Sequence, residues 1–176
     1  MSTRIALAAL VAAVATIPLT AQVQKQEIAG IRNYSRVDAT VGCGGATDPA
    51  AMSALRKEGY VSVINLRLAN EDGANVDAGR AAAQAAGLKY IHLPFNAAMP
   101  DAKVIDTFLA TVADKGNQPV YIHCGSANRV GGVWMIKRVL QDKWSLDRAL
   151  TEAKAIGLNN PALQTFATDY INSHRN

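Results

Sequence analysis

The 176 residues are 49% hydrophobic, enough for one domain with a substantial core. The formal charge of +4 comes from eighteen Lys and Arg scattered along the chain, which argues against a nucleic-acid partner and suits small anionic substrates. Two cysteines, Cys43 and Cys124, are too few for a disulfide framework.

The chain opens with a positive segment at 1–4, an almost unbroken apolar run over 5–17, and Pro18-Leu19-Thr20-Ala21 before polar Gln22. This is the layout of a secretory signal peptide cut after Ala21. Residues 1–21 are therefore expected to be removed and the mature protein to be periplasmic or secreted. The other readings of the run are an uncleaved membrane anchor and a buried helix, although it is short for a full span of about 20 residues. Any membrane contact would be through this segment. Residues 22–31 are polar and read as a mobile linker, and 32–176 as the domain.

A strand is expected over 34–41, then a turn at Gly42-Cys43-Gly44-Gly45-Ala46. Thr47 or Asp48 caps a helix with Pro49 in its first turn and Gly59 past its end. A buried Val/Ile-rich strand covers 60–66, followed by a polar loop over 67–75 that holds Glu71 and Asp72. A helix over 76–86, a strand over 89–94, a loop at 95–100 and a helix opened by Asp101 come next. The strand over 119–123 leads into His123-Cys124, and helices over 130–143, 145–156 and 161–174 complete the chain. Strands alternating with helices imply an α/β domain with a mostly parallel central sheet flanked by helices. Ligands of such sheets bind beyond the carboxyl ends of the strands, so Cys124 and the loops after Arg67 and Pro94 share one edge.

Chemistry concentrates in the stretch from Val120 to Gly132: an apolar strand, a cysteine, a short polar loop, an arginine and a helix. A thiol at the mouth of a helix sits in the positive end of the macrodipole, which favours thiolate. The amides of Gly125, Ser126, Ala127, Asn128 and Arg129 can form an anion-binding nest, and the Arg129 fork matches two oxygens of a tetrahedral anion. A buried, inert cysteine before an ordinary helix would not require the His, the loop and the Arg together. In an oxidising compartment two thiols within reach would join, so Cys43 is expected to lie away from Cys124, with a redox switch as the alternative. No cofactor or metal is expected, because His92, His174 and the carboxylates lack ligand spacing. Trp134 and Trp144 read as packing residues.

From about Tyr34 to Ala155 these residues resemble the cysteine-dependent phosphatase superfamily of tyrosine and dual-specificity type, especially its bacterial beta-lactamase-hydrolase-like branch. The likeness rests on Gly44-Gly45-Ala46-Thr47-Asp48-Pro49 before a helix, Val63-Ile64-Asn65-Leu66-Arg67 with Glu71 downstream, Ala86-Gly87-Leu88-Lys89-Tyr90-Ile91-His92-Leu93-Pro94, and His123-Cys124 to Arg129. The resemblance implies a cysteine-phosphatase-like fold, a phosphorylated protein or small-molecule substrate, and a phosphocysteine intermediate. Cys124 would attack phosphorus, while Arg129 and the loop amides hold the equatorial oxygens. His123 would orient the loop and help keep the thiolate charged.

The chain also departs from that pattern. Four residues rather than five separate Cys124 from Arg129, the usual loop glycine is Ala127, and the hydroxyl residue after the arginine is Val130. Asn96 and Ala97 stand where the acid loop commonly carries Asp. The general acid is sought among Asp72 and Glu71, then Asp101, whose ordinary role would be a helix cap. A rhodanese-like sulfurtransferase, which also spaces its cysteine and arginine by four residues and needs no acid, is the first alternative. A catalytically impaired oxyanion-binding domain is the second.

Overall fold

Four short β-strands, three of them rich in β-branched or aromatic residues, form the parallel heart of the domain in this computed structural model, which describes residues 23–175. They are β3 (Val41–Gly44), β6 (Val120–His123), β4 (Ser62–Asn65) and β5 (Lys89–His92), numbered in chain order along with β1 (Gln24–Lys25) and β2 (Ser35–Arg36). The sheet order is β1-β2-β3-β6-β4-β5, antiparallel at the β1-β2 and β2-β3 pairs and parallel elsewhere. The α/β class and the mostly parallel sheet agree with the sequence reading. Register aligns Gly44, His123, Asn65 and His92, so the four parallel strands end at one level.

Helices cover both faces. The helices α3 (Ala102–Ala113), α4 (Asn128–Leu140), α5 (Leu146–Ile156) and α6 (Pro161–His174) share one core cluster with Ile64, Ile122 and Cys43. On the other face α1 (Met52–Lys57) and α2 (Val76–Ala85) enclose Tyr34, Tyr60, Val63 and Tyr121. Alternation along β6 produces this division: Val120 and Ile122 enter the first cluster and Tyr121 the second. Helix α4 is buried nearly all round and meets its neighbours at close range. A Cβ on Gly131 would stand 2.7 Å from the Ala153 carbonyl, so a side chain there would push α5 away.

Three sequence expectations change. The strand over 34–41 is two strands, because the Asp38 carboxylate accepts the Thr40 N–H and hydroxyl, each at 2.7 Å, and turns the chain back. The glycine-rich stretch that follows is not a turn but buried β3. Glycine is required there by close approach, since a Cβ on Gly42 would fall 1.9 Å from the Tyr60 hydroxyl and one on Gly44 2.0 Å from that of Tyr121. Third, the segment read as a linker over 22–31 contains β1 and the bridge from Ile31 to Thr47, so backbone pairing ties it to the sheet. The proposed signal peptide lies outside the described residues. Among the described residues no helix is long and apolar enough to cross a membrane.

Candidate active site

Because the parallel strands end together, the segments following β3, β4, β5 and β6 meet at one edge, and Cys124 is the first residue beyond β6. Its amide donates to the Gly44 carbonyl at 3.3 Å, and its side chain is 1% exposed, at the floor of the loop that follows. The loop is fixed from outside through its carbonyls. Gly125 O accepts the Ala46 amide at 2.9 Å, Ser126 O accepts the Asn33 side chain at 3.2 Å, and Ala127 O accepts the Gly131 amide at 3.0 Å. In a trans peptide the C=O and the next N–H point in opposite directions. The amides of Ser126 and Asn128 are therefore turned away from these outer partners, and neither they nor those of Gly125 and Arg129 donate to a main-chain carbonyl among the described residues. Free amides at the start of the 13-residue α4 make an anion seat in the positive field of the helix.

Ala127, which stands where the family commonly has glycine, adopts φ 73. A left-handed alanine costs about 1–2 kcal/mol, so the loop holds a conformation the sequence does not favour locally. The side chain of Asn128 is engaged elsewhere: it donates to Asn159 Oδ1 at 2.6 Å and accepts the Asn159 amide at 3.2 Å. It pins α4 to the turn before α6, leaving its amide for a ligand.

Arg129 projects from the first turn of α4 back over the loop. Its Nη1 donates to Glu71 Oε1 at 2.5 Å, Phe95 O at 3.1 Å and Leu66 O at 3.2 Å, and its Nη2 donates to Glu71 Oε2 at 2.8 Å. A guanidinium has five N–H donors in rigid forks. Glu71 takes the terminal fork. The side fork, Nε–H with the second Nη2–H, donates to no oxygen or nitrogen atom among the described residues, the Cys124 sulfur being the guanidinium's remaining partner, and is the half that could grip two oxygens of an anion. Burial opposes the Arg129 charge, but Glu71 and the nearby Cys124 sulfur outweigh it and raise its pKa. A Cβ on Gly125 would lie 3.6 Å from Arg129 Nη2 and 3.9 Å from Glu71 Oε2, so the arginine and its carboxylate stand directly beside the loop.

Glu71 has a different role from the one sought for it. Burial pushes its carboxyl up, but the Arg129 hydrogen bonds, the Leu68 amide and Arg67 bring it down to about 2. A group so strongly held as carboxylate has no proton to give at neutral pH; it positions Arg129. Behind it, Arg67 donates to Glu71 Oε2 at 3.1 Å, Gly73 O at 2.7 Å and Asp72 O at 2.5 Å, folding the 67–73 loop around its own guanidinium. This brace had a place in the sequence motif but no function. Its signal was an arginine four residues before a glutamate in a polar loop.

The other two candidate carboxylates do not bond Arg129. Asp72 has an exposed side chain without a hydrogen-bond partner among the described residues. The Asp101 carboxylate accepts the Lys103 amide at 2.9 Å as the N-cap of α3. His123 is 2% exposed, stacks on Tyr121, and has no hydrogen-bond partner at either ring nitrogen among the described residues. Burial, joined by the Arg67 charge, lowers its pKa to about 3, so it is a neutral ring and cannot supply positive charge to the thiolate. Cys43 pairs with Ile122 on the adjacent strand and lies in the same large core cluster as Cys124. Both cysteines are free, and burial pushes the Cys43 thiol well up. His92 Nε2 meets Arg67 O at 2.8 Å. Among the described residues no cluster of three His, Cys, Asp or Glu could hold a metal.

Residues 34–141 match the family described as "Beta-lactamase hydrolase-like protein, phosphatase-like domain". The chain belongs to this family. Its fold is that of TpbA from P. aeruginosa, with a TM-score of 0.67 at 20% identity over 90% of this chain and 94% of TpbA. The core catalytic domain of the PP-IP phosphatase SIW14 from S. cerevisiae gives a TM-score of 0.66 at 20% identity, covering 84% of this chain and 93% of that one. No curated protein matches the chain. The phosphatase-like domain anticipated from the signature around Cys124 is therefore the family and fold of the protein.

Proposed function

We propose that this protein is an exported cysteine-dependent phosphatase that hydrolyses phosphate monoesters of the tyrosine or dual-specificity type. The observation that carries the reading is the open side fork of Arg129 beside Cys124, with the remaining guanidinium donors fixed by Glu71, Leu66 and Phe95. In the first step the Cys124 sulfur forms a bond to phosphorus as the bond to the leaving oxygen breaks, and that oxygen takes a proton from an acid. In the second, water attacks phosphorus and gives its proton to the carboxylate left by that acid, the S–P bond breaks to return the thiolate, and phosphate leaves. Arg129 and the loop amides stabilise the charge that spreads over the equatorial oxygens in both steps. Asp72 is assigned as the acid ahead of Asp101, because its carboxylate is unengaged whereas Asp101 is committed to capping α3. TpbA has been solved with pTyr and the SIW14 core with citrate, anionic occupants of the chemistry that an arginine fork and free amides suit. Export follows from the N-terminal sequence and is tested by sequencing the N-terminus of protein recovered from the periplasm or medium, where a mature chain starting at Gln22 is expected.

Two observations favour weak turnover as a second reading. The thiol is almost fully buried, and buried Val130 supplies no hydroxyl to steady a departing thiolate. Sulfur transfer is the remaining rival. Purified mature protein is expected to hydrolyse p-nitrophenyl phosphate, and Cys124→Ser to abolish the reaction. Equal rates in the two proteins would dismiss the assignment. Oxyanion binding without turnover would establish the impaired reading, and thiosulfate-to-cyanide transfer without phosphate release would establish the sulfurtransferase.

A further inference from the structure

The N-terminal segment reaches the phosphate loop from outside through one side chain, that of Asn33. Its Oδ1 accepts the Lys25 ammonium at 2.7 Å, and because an ammonium only donates, the orientation of the amide is fixed. The NH2 group then faces two carbonyls, Ser126 O at 3.2 Å and Ile156 O at 3.3 Å. Lys25 donates to the same Ile156 carbonyl at 3.0 Å. Gly157 leaves room for the arrangement: a Cβ there would stand 3.1 Å from both Asn33 Nδ2 and Ala127 Cβ.

The peptide held in this way joins Ser126 to Ala127, the residue strained at φ 73. Turning this one plane by half a revolution would carry Ala127 to negative φ and release the strain, at the expense of the bond from Asn33. It would also exchange the faces of the plane, since N–H and C=O of a trans peptide oppose each other. Ser126 O would leave Asn33 and turn toward the end of β3, where Gly45 bridges Ser126 and the Cys124 amide meets Gly44 O. There it would confront the Gly44 carbonyl, toward which the Ala127 N–H now points across that bridge, and would disturb the strand end that seats the Cys124 amide.

We infer that Asn33, buttressed by Lys25, is a positioning residue that holds the Ser126–Ala127 peptide in its observed orientation against the strain of Ala127, and with it the shape of the phosphate loop. The functional half of this inference rests on the phosphatase reading; the conformational half does not. The test is a pair of crystal structures, Asn33→Ala and Asn33→Ala/Ala127→Gly, with tungstate affinity measured by calorimetry for each.

The single variant should show the plane turned and about tenfold weaker tungstate binding, equivalent to about 1.4 kcal/mol. The double variant should show the original orientation and recovered affinity, because glycine has no strain to release and the Gly45 bridge then keeps the plane. A single variant with the original plane and unchanged affinity would overturn the inference, as would a loss that Ala127→Gly does not rescue. If Asn33→Ala does not fold, Lys25→Met, which leaves the amide in place without its buttress, should show a smaller loss rescued in the same way. A turned plane in the variant together with no turnover by the parent protein would refute the phosphatase reading and leave the conformational inference standing.

Discussion

Helix α4 carries two arginines in ion pairs, one at each end, and they serve opposite purposes. Arg138, near the C-terminus, donates to Glu152 at 2.7 and 3.1 Å, to Asp142 at 2.9 Å and to Asp38 at 2.8 Å. Trp134 and Trp144 lie against it, 4.9 and 4.4 Å from its guanidinium. Burial opposes its charge, Glu152 and Asp142 outweigh that effect, and four of its five donors are used. Arg129, at the N-terminus, is fastened as firmly by Glu71 but keeps a complete fork free beside a thiol and unpaired amides. An arginine whose donors are nearly all consumed locks elements together; one that is held yet keeps a whole fork open beside a thiol is able to receive an anion. The direction of the helix decides which end is which, because free N–H groups and positive potential occur only at its start.

The largest effects should separate the two ends. Arg129→Lys loses the fork and is expected to lower kcat/KM about 10²–10³-fold. Its thermal unfolding should stay close to that of the parent. Arg138→Met should do the reverse, with kcat/KM of the folded protein nearly unchanged and unfolding by urea easier by about 3–5 kcal/mol, as buried Glu152 is left unpaired. A loss of activity in the second variant, without loss of folded protein, would break the comparison.

Next in size is Asp72→Asn, which should reduce turnover of an alkyl phosphate about 10²-fold and hardly affect p-nitrophenyl phosphate, whose leaving group needs little protonation. If Asp101→Asn shows that pattern instead, the acid lies on the other loop. Glu71→Gln keeps a hydrogen bond but loses the charge, and about a tenfold loss in kcat/KM is expected.

That same variant sharpens the pH dependence. The Glu71 carboxyl is lowered in the folded state from 4.5 to about 2, so its contribution to stability is complete above 4.5 and disappears as the pH falls through that interval. Melting temperature against pH should therefore fall more gently in Glu71→Gln than in the parent on the acid side. The smallest effect belongs to Ala127→Gly. Relief of roughly 1–2 kcal/mol of strain is set against an entropic cost of roughly 0.5–1 for glycine, leaving a gain of about 0.5 kcal/mol in denaturant unfolding.

Much of the fold was legible because alternation of Val and Ile strands with capped helices is a local signal: α2 begins at Val76, α5 is capped by Ser145 and α6 opens on Pro161, as their sequences dictate. The buried glycine strand β3 was not legible. Its glycines answer to Tyr60 and Tyr121, which lie far along the chain, and no window around Gly42 contains them. The candidate site divides in the same way. Cys124, Arg129 and the strain at Ala127 could be read from one contiguous stretch. Glu71 grips Arg129 across 58 residues and Asn33 fastens the loop across 93, while the neutral state of His123 comes from its burial in the assembled core.

Rapid quenching of the enzyme during turnover of an aryl phosphate, followed by mass spectrometric mapping, reports directly on which atom receives the phosphoryl group. A phosphoryl adduct confined to Cys124 and absent from Cys124→Ser is the predicted result. Phosphate release with no adduct at Cys124, or a persulfide there after thiosulfate with no phosphoryl adduct after aryl phosphate, would contradict it.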